Sequence, residues 1–263
     1  MLQEATSLLA EHWMPVVQAA ALVVFIALGA LHPRLPQGVL ITATLVNLVT
    51  GAFLYLFRIG LAVVVGGLAS TGLVDGAAFG PGWSQFLVCF LLLDFARYGV
   101  HWADHRVPFL WHFHRVHHSS EELNATSGLR MHAVDLVQLT FIPLLLFSVL
   151  VDSRAMEVWV VPSALVCGVI SDAFQHANIR MDMTKPLNRA WNLVLNNPHF
   201  HCWHHTRDGH LRDGNYGNVL VIWDRLFGTV VSQAEPPALY GLPRSQALRQ
   251  DVMGLQLLRS GER

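Results

Sequence analysis

Eight histidines fall into three spaced groups: His101 and His105 form HxxxH, while His114, His117, His118 and His201, His204, His205 each form HxxHH. In a chain with 15 histidines among 263 residues, one HxxHH is expected about 0.05 times by chance, so two copies far apart require a chemical reason. On a helix, positions i, i+3 and i+4 fall within ~100° of arc, so each group can turn its rings to one side. Three helices doing this surround one volume. Neutral imidazole suits iron, copper, zinc and nickel, so the ring type alone does not select the metal. Eight rings exceed the four ligands of a structural zinc. The adjacent pairs His117/His118 and His204/His205 can each serve two ions, which favours a binuclear site.

Further candidates surround these groups. His176 ends an apolar stretch, where an ionisable side chain near lipid is costly and usually functional. His132, in RMH just before another apolar stretch, is a ligand or a hydrogen-bond partner behind one. Asp94 stands seven residues before His101 and shares its face, where it could hold a ring by the second nitrogen; Asp172, four before His176, is placed similarly. Either could instead serve as a salt-bridge partner, Asp94 for Arg97 for example. His12, His32, His112, His199 and His210 stand alone and read as hydrogen-bonded packing residues. Tyr98, Trp102, Trp111 and Phe113 could line an acyl or polycyclic pocket, although aromatics at such spacing are more often packing.

The elements that must position these groups are apolar. The chain is 53% hydrophobic and 13% charged, with a mean hydropathy of +0.41, against ~25% charged residues in a soluble domain. Apolar blocks run over residues 15–31, 39–57, 61–73, 86–100, 134–151 and 158–169; several approach the ~17–20 residues that cross a bilayer as a helix. We expect an all-α, polytopic membrane protein of one folding unit. It would have about four to six membrane helices, some re-entrant, and a cytoplasmic-side helical domain holding a His-rich dimetal site. Residues 1–83 read as N-terminal membrane helices broken at Pro33, Pro36 and Gly66-Gly67. Residues 84–232 read as the catalytic domain with its own membrane hairpin, and 233–263 as a tail.

Within the catalytic part, a helix is expected to carry Asp94 to His105, and a second to start at Pro108 and run through PFLWHFHRVHHSSEEL. The tail over 244–259 reads as a surface amphipathic helix. The first apolar block has no basic residue ahead of it and no small-residue cleavage site after it, so it is expected to remain as an anchor. Ten of the seventeen Lys and Arg residues lie at 180–263, which places the C-terminal third in the cytoplasm by the positive-inside rule. Cys89, Cys167 and Cys202 form no CxxC pair, so neither a disulfide framework nor an iron–sulfur site is indicated. No nucleic-acid partner is expected.

The stretch LLLDFARYGVHWADHRVPFLWHFHRVHHSSEELNATSGLRMH, followed by FQHANI, NPHFHCWHH and NYGNVLVIWDRLFGT, resembles the fatty acid hydroxylase/sterol desaturase superfamily over roughly Phe90 to Thr229. WHFHRVHHS and NYGNVLVIWDRLFGT have family character beyond the histidines. The resemblance implies a centre of two Fe ions at the cytoplasmic side of a helical membrane domain, and the expected location is the inner (plasma) membrane. With O2 as co-substrate, such a centre hydroxylates or desaturates a C–H bond of a lipid from the bilayer, whether sterol, fatty acyl chain, ether lipid or carotenoid. By matching position, His101, His105, His114, His117, His118, His176, His201, His204 and His205 are the implied ligands. Some members carry another histidine where Asp172 stands, which leaves Asp172 and His132 as candidates to complete the shell. His32-Pro33 is followed by Arg34-Leu35, not the Gly-Gly of a fused cytochrome b5, so electrons are expected from a separate donor, cytochrome b5-like or a ferredoxin with its reductase. The rival reading is a His-rich metal transporter or metal-binding membrane protein without oxidase activity. It would spread ionisable residues through the middle of the spans, whereas these histidines gather beside Arg97, Arg106, Arg115, Arg130 and Arg207.

Overall fold

The computed structural model describes residues 2–34, 41–68, 72–231 and 235–261, with the backbone path alone for 2–14, 41 and 59–68. The expected break at Pro36 and the side chain of His12 lie outside the described residues. The chain is mostly helical. Helix α1 (Leu2–Leu31) ends just before Pro33, as expected, and α2 (Ile41–Leu68) runs on through Gly66-Gly67, where a break was expected. Helix α3 (Gly82–Arg106) is about 38 Å long at 1.5 Å per residue, more than the ~30 Å of bilayer hydrocarbon. Helix α4 (Pro108–His114) follows after a one-residue corner, its proline at the first position, where the missing N–H costs nothing.

The expected hairpin is formed by α5 (Ala133–Leu150), which contains a π-turn at Val137–Phe141, and α6 (Val160–His176). At its far end a two-residue strand, β2 (Val151–Asp152), pairs in parallel with β1 (Val74–Asp75). Among the described helices, α3 and α5 are long and apolar enough to cross a membrane. Shorter apolar stretches, Pro15–Leu31 and Thr42–Arg58, lie in α1 and α2. Val23, Val24, Leu45, Val49, Phe53 and Leu56 point outward and are exposed, a surface that fits lipid rather than water.

Helices α3, α5 and α6 pack together around Cys89, Leu93, Phe147, Val160 and Ala164. The turn Ala125–Leu129 lies against α6 and α2. Gly128 packs closely against α6: a Cβ there would stand 2.1 Å from Asp172 Oδ2, so that carboxylate would have to move. Beyond α6 come the short helices α7 (Pro186–Val194), α8 (Pro198–His204), α9 (Gly209–Arg212), α10 (Ile222–Phe227) and α11 (Val252–Gln256).

Two further expectations are corrected. The helix from Pro108 stops at His114, and the chain makes a tight 3-10 turn over His117–Ser119. Ser119 Oγ donates to Val116 O at 2.6 Å and accepts from Arg130 Nε at 2.9 Å, offering the backbone a local alternative to the helix. The tail is not one surface helix: only five residues form α11, and Leu248 and Leu255 are buried against Val116. Burying those leucines draws the tail onto the turn that carries His117 and His118.

Candidate metal centre

Helix α3 presents His101 and His105 on one face, α4 contributes His114, and α8 contributes His201 and His204. Asn197 caps α8, its Oδ1 accepting from His199 N and Phe200 N at 3.0 Å each, which sets the direction of that helix. The nine candidate rings then separate into two groups. His101, His105, His114, His118 and His204 form one, and His117, His176, His201 and His205 the other; in each, one nitrogen per ring lies within 4.8 Å of all the others. The turn after His114 sends His117 and His118 to different groups. The end of α8 does the same for His204 and His205, since His205 has already left helical geometry as the C-cap.

The outer hydrogen bonds decide which nitrogen faces inward. Nδ1 of His101 donates to Tyr216 O (2.8 Å), of His204 to Gly214 O (2.9 Å), of His176 to Asp172 O (2.7 Å) and of His117 to Arg130 O (3.3 Å). Nδ1 of His114 donates to Asp135 Oδ1 (2.9 Å) and of His105 to Asp213 Oδ1 (3.3 Å). A neutral imidazole that spends its one N–H outward turns a bare lone pair inward at Nε2.

His117 and His176 therefore oppose lone pairs across 3.2 Å, and the Nε2 atoms of His101, His105 and His204 meet no protein donor. Lone pairs facing each other in a buried pocket repel, and a cation between them removes the conflict. The donor set thus fits metal ions. Burial first, then the neighbouring rings, holds His118, His201, His204 and His205 well below the usual histidine pKa, in the neutral form a metal needs. His117 is lowered in the same way. His114 is the exception: burial pulls it down, but the Asp135 carboxylate beside it raises it overall.

Other expected residues lie elsewhere. His132 caps the start of α5, Nδ1 accepting from Val134 N (3.0 Å), and its Nε2 donates to Gln256 O (2.9 Å); it joins neither group. Asp94 touches no histidine. Its carboxylate accepts from Val219 N (3.0 Å), Leu220 N (3.1 Å) and Trp223 Nε1 (2.9 Å), holding the segment before α10. Asp172 supports His176 through its backbone carbonyl, while its side chain lies 3.6 Å from Arg97. His32, His112 and His210 are exposed, and His199 is buried outside both groups. Trp111 packs on His105 (5.1 Å between ring centres) and His118 (5.4 Å), with the Arg212 guanidinium 4.4 Å above it. Tyr98 stacks on Phe227, Phe113 lies beside His132, and Trp102 is exposed.

Asp135 and Asp213 support rings without having been singled out in the sequence; nothing in their spacing ties them to His114 and His105. The carbonyls of Gly214 and Tyr216 carry no sequence signal at all, yet NYGN...D explains them. Asp224 accepts from Tyr216 N (2.8 Å) and Gly217 N (2.7 Å). Asn215, at φ 60°, donates from Nδ2 to Phe200 O (2.8 Å) and Val231 O (2.7 Å); asparagine tolerates that left-handed conformation better than most residues.

Two helices long and apolar enough to cross a membrane, with two buried clusters of imidazoles that could each hold a metal ion, define the class of site. The family model "Fatty acid hydroxylase" matches residues 86–229, more than half of the chain, and the chain belongs to that family. It is 33% identical to an alkylglycerol monooxygenase of Caenorhabditis elegans, over 60% of this chain and 29% of that protein. It is 32% identical to the human alkylglycerol monooxygenase, over 58% of this chain and 32% of that one. With an ornithine lipid hydroxylase of Rhizobium tropici it shares 30% identity over 58% of this chain and 43% of the relative. The chain thus spans about a third of the length of the first two relatives and less than half of the third. No solved structure matches it.

Proposed function

We propose that the chain is an oxygen-dependent hydroxylase of a membrane-lipid C–H bond, with one iron held by His101, His105, His114, His118 and His204 and a second by His117, His176, His201 and His205. The observation that carries this reading is the inward-facing lone pairs, six of them enforced by outer hydrogen bonds. When bound, the metal pair supplies the activation of O2. One oxygen atom enters the C–H bond and the other leaves as water, with two electrons and two protons from a separate donor, cytochrome b5-like or a ferredoxin with its reductase. The protein's part is positional. Outer acceptors fix the rings, Trp111 covers one side of the five-histidine group, and the buried pocket keeps bulk water away.

The names of the relatives, monooxygenases and hydroxylases of lipids, favour hydroxylation over desaturation. Residues 84–232 form the catalytic unit, 1–83 the anchoring helices and 233–263 a tail that closes on it. Apolar α1, α2 and α6 join α3 and α5 in an inner-membrane domain within the expected four to six spans, with the histidine end on the cytoplasmic side. The test is purified protein with its metal content measured, given oxygen, a reductant and a lipid extract. About two irons per chain and a lipid gaining one oxygen are expected; full iron loading without lipid-dependent oxygen uptake would refute the reading.

A further inference from the structure

Behind His114, on the Nδ1 side of its ring, three elements bring buried oxygens together. Asp104 lies in the last turn of α3, Asp135 and Gln138 lie one turn apart on α5, and His114 ends α4. An oxygen of each aspartate and a nitrogen of His114 lie within 4.8 Å of one another. Both aspartates are fully buried, and Gln138 is 3% exposed. Gln138 belongs to the π-turn of α5, a feature frequent at functional sites. Its Nε2 donates to Asp104 Oδ1, and His114 Nδ1 donates to Asp135 Oδ1. Three buried oxygens are then left with no hydrogen-bond partner: Asp104 Oδ2, Asp135 Oδ2 and Gln138 Oε1. Among the described residues, no Lys or Arg forms an ion pair with either aspartate.

Two carboxylates this close in a dry setting cannot both stay charged without a counter-charge. A proton shared between them would satisfy Asp104 Oδ2 and Asp135 Oδ2 but leave Gln138 Oε1 bare. A divalent cation matches both charges and takes all three oxygens. We infer that Asp104, Asp135 and Gln138 form a third cation site, distinct from the two histidine groups, for a hard divalent ion of the magnesium or manganese class. Oxygen donors select such ions, whereas imidazole suits iron, copper, zinc and nickel. A site with only three protein oxygens suits an ion that keeps water in the rest of its shell. The ion ties α3 to α5 and holds Asp135 charged behind His114, whichever metal the histidines hold.

The test uses the full metal-loaded chain in detergent, equilibrated with Mn2+ and then with excess Mg2+, with bound manganese measured by elemental analysis. About one manganese per chain is expected, and Mg2+ should displace it, because magnesium competes for oxygen sites and not for imidazole. Asp104→Asn should weaken manganese binding about tenfold or more, since ligand charge sets affinity in oxygen sites. Gln138→Met keeps the bulk and removes the oxygen; it should weaken binding too, and it decides the matter if Asp104→Asn does not fold. The parent's thermal midpoint should rise with Mg2+ by mass action, and that of each variant should rise less. A parent without Mg2+-displaceable manganese, or binding unmoved by the variants, overturns the inference in favour of the shared proton. Binding requires no oxygen, lipid or turnover, so a failure to oxidise lipid would refute the hydroxylase reading alone.

Discussion

Asp135 approaches a candidate ligand from behind: its Oδ1 lies 2.9 Å from His114 Nδ1, and both side chains are fully buried. Removing that charge should weaken metal binding about 10- to 100-fold, read as chelator competition for Asp135→Asn against the parent protein. Asp213, longer at 3.3 Å and more exposed, should matter less. The buried rings also set a pH response in the metal-free protein. His117, His118, His201, His204 and His205 have folded-state pKa values below the ordinary 6.5, so below that pH the unfolded chain binds protons the folded one refuses. Their effect is absent above 6.5 and grows destabilising as pH falls. His114, raised above 6.5, acts oppositely: it stabilises below 6.5, and that contribution disappears as pH rises through its folded value. Five groups outweigh one, so thermal unfolding of chelator-treated protein should occur at lower temperature near pH ~5.5 than near ~7.5. An unchanged or higher midpoint at acid pH would contradict the neutral assignment.

At the scale of single elements, two short pieces decide where rings point. Asn197→Ala removes the cap of α8 and should cost about 1 kcal/mol, with metal content falling too, because His201, His204 and His205 hang from that helix and its C-cap. The tail is the less expected piece. Leu255 is completely buried beside Val116, Gln250 Oε1 accepts from the buried Arg130 guanidinium, and Arg130 O receives the His117 N–H. Leu255→Ala should therefore destabilise by about 2–5 kcal/mol, the range for emptying a buried leucine site, seen as a lower denaturation midpoint. A surface tail would give almost no change.

For the whole molecule, the hairpin of α5 and α6 separates two ends. His132 and His176 bound it at the metal end, while β1, β2 and the exposed Val158 mark the other. Single cysteines introduced in place of Glu121 and Val158, with Cys89, Cys167 and Cys202 replaced, should react with an impermeant thiol reagent from opposite sides of the membrane. Labelling of both from one side would show that α5 and α6 do not cross.

Residue type and spacing alone pointed to a gathering of imidazoles, because i, i+4 geometry on a helix is local and eight histidines in this pattern are improbable without a shared chemical role. Helical character was legible for a similar reason, since lipid-facing segments leave long uninterrupted apolar runs. The allocation of rings was not legible. Whether His117 and His118 serve the same ion depends on a helix ending at His114, and that depends on Ser119, Arg130 and a tail more than a hundred residues away in sequence. Asp94, equally well spaced to support His101, instead binds backbone N–H groups from the segment before α10. His101 takes its acceptor from Tyr216 O. Backbone carbonyls have no residue identity, so the contacts that orient these rings arise only when the chain closes on itself.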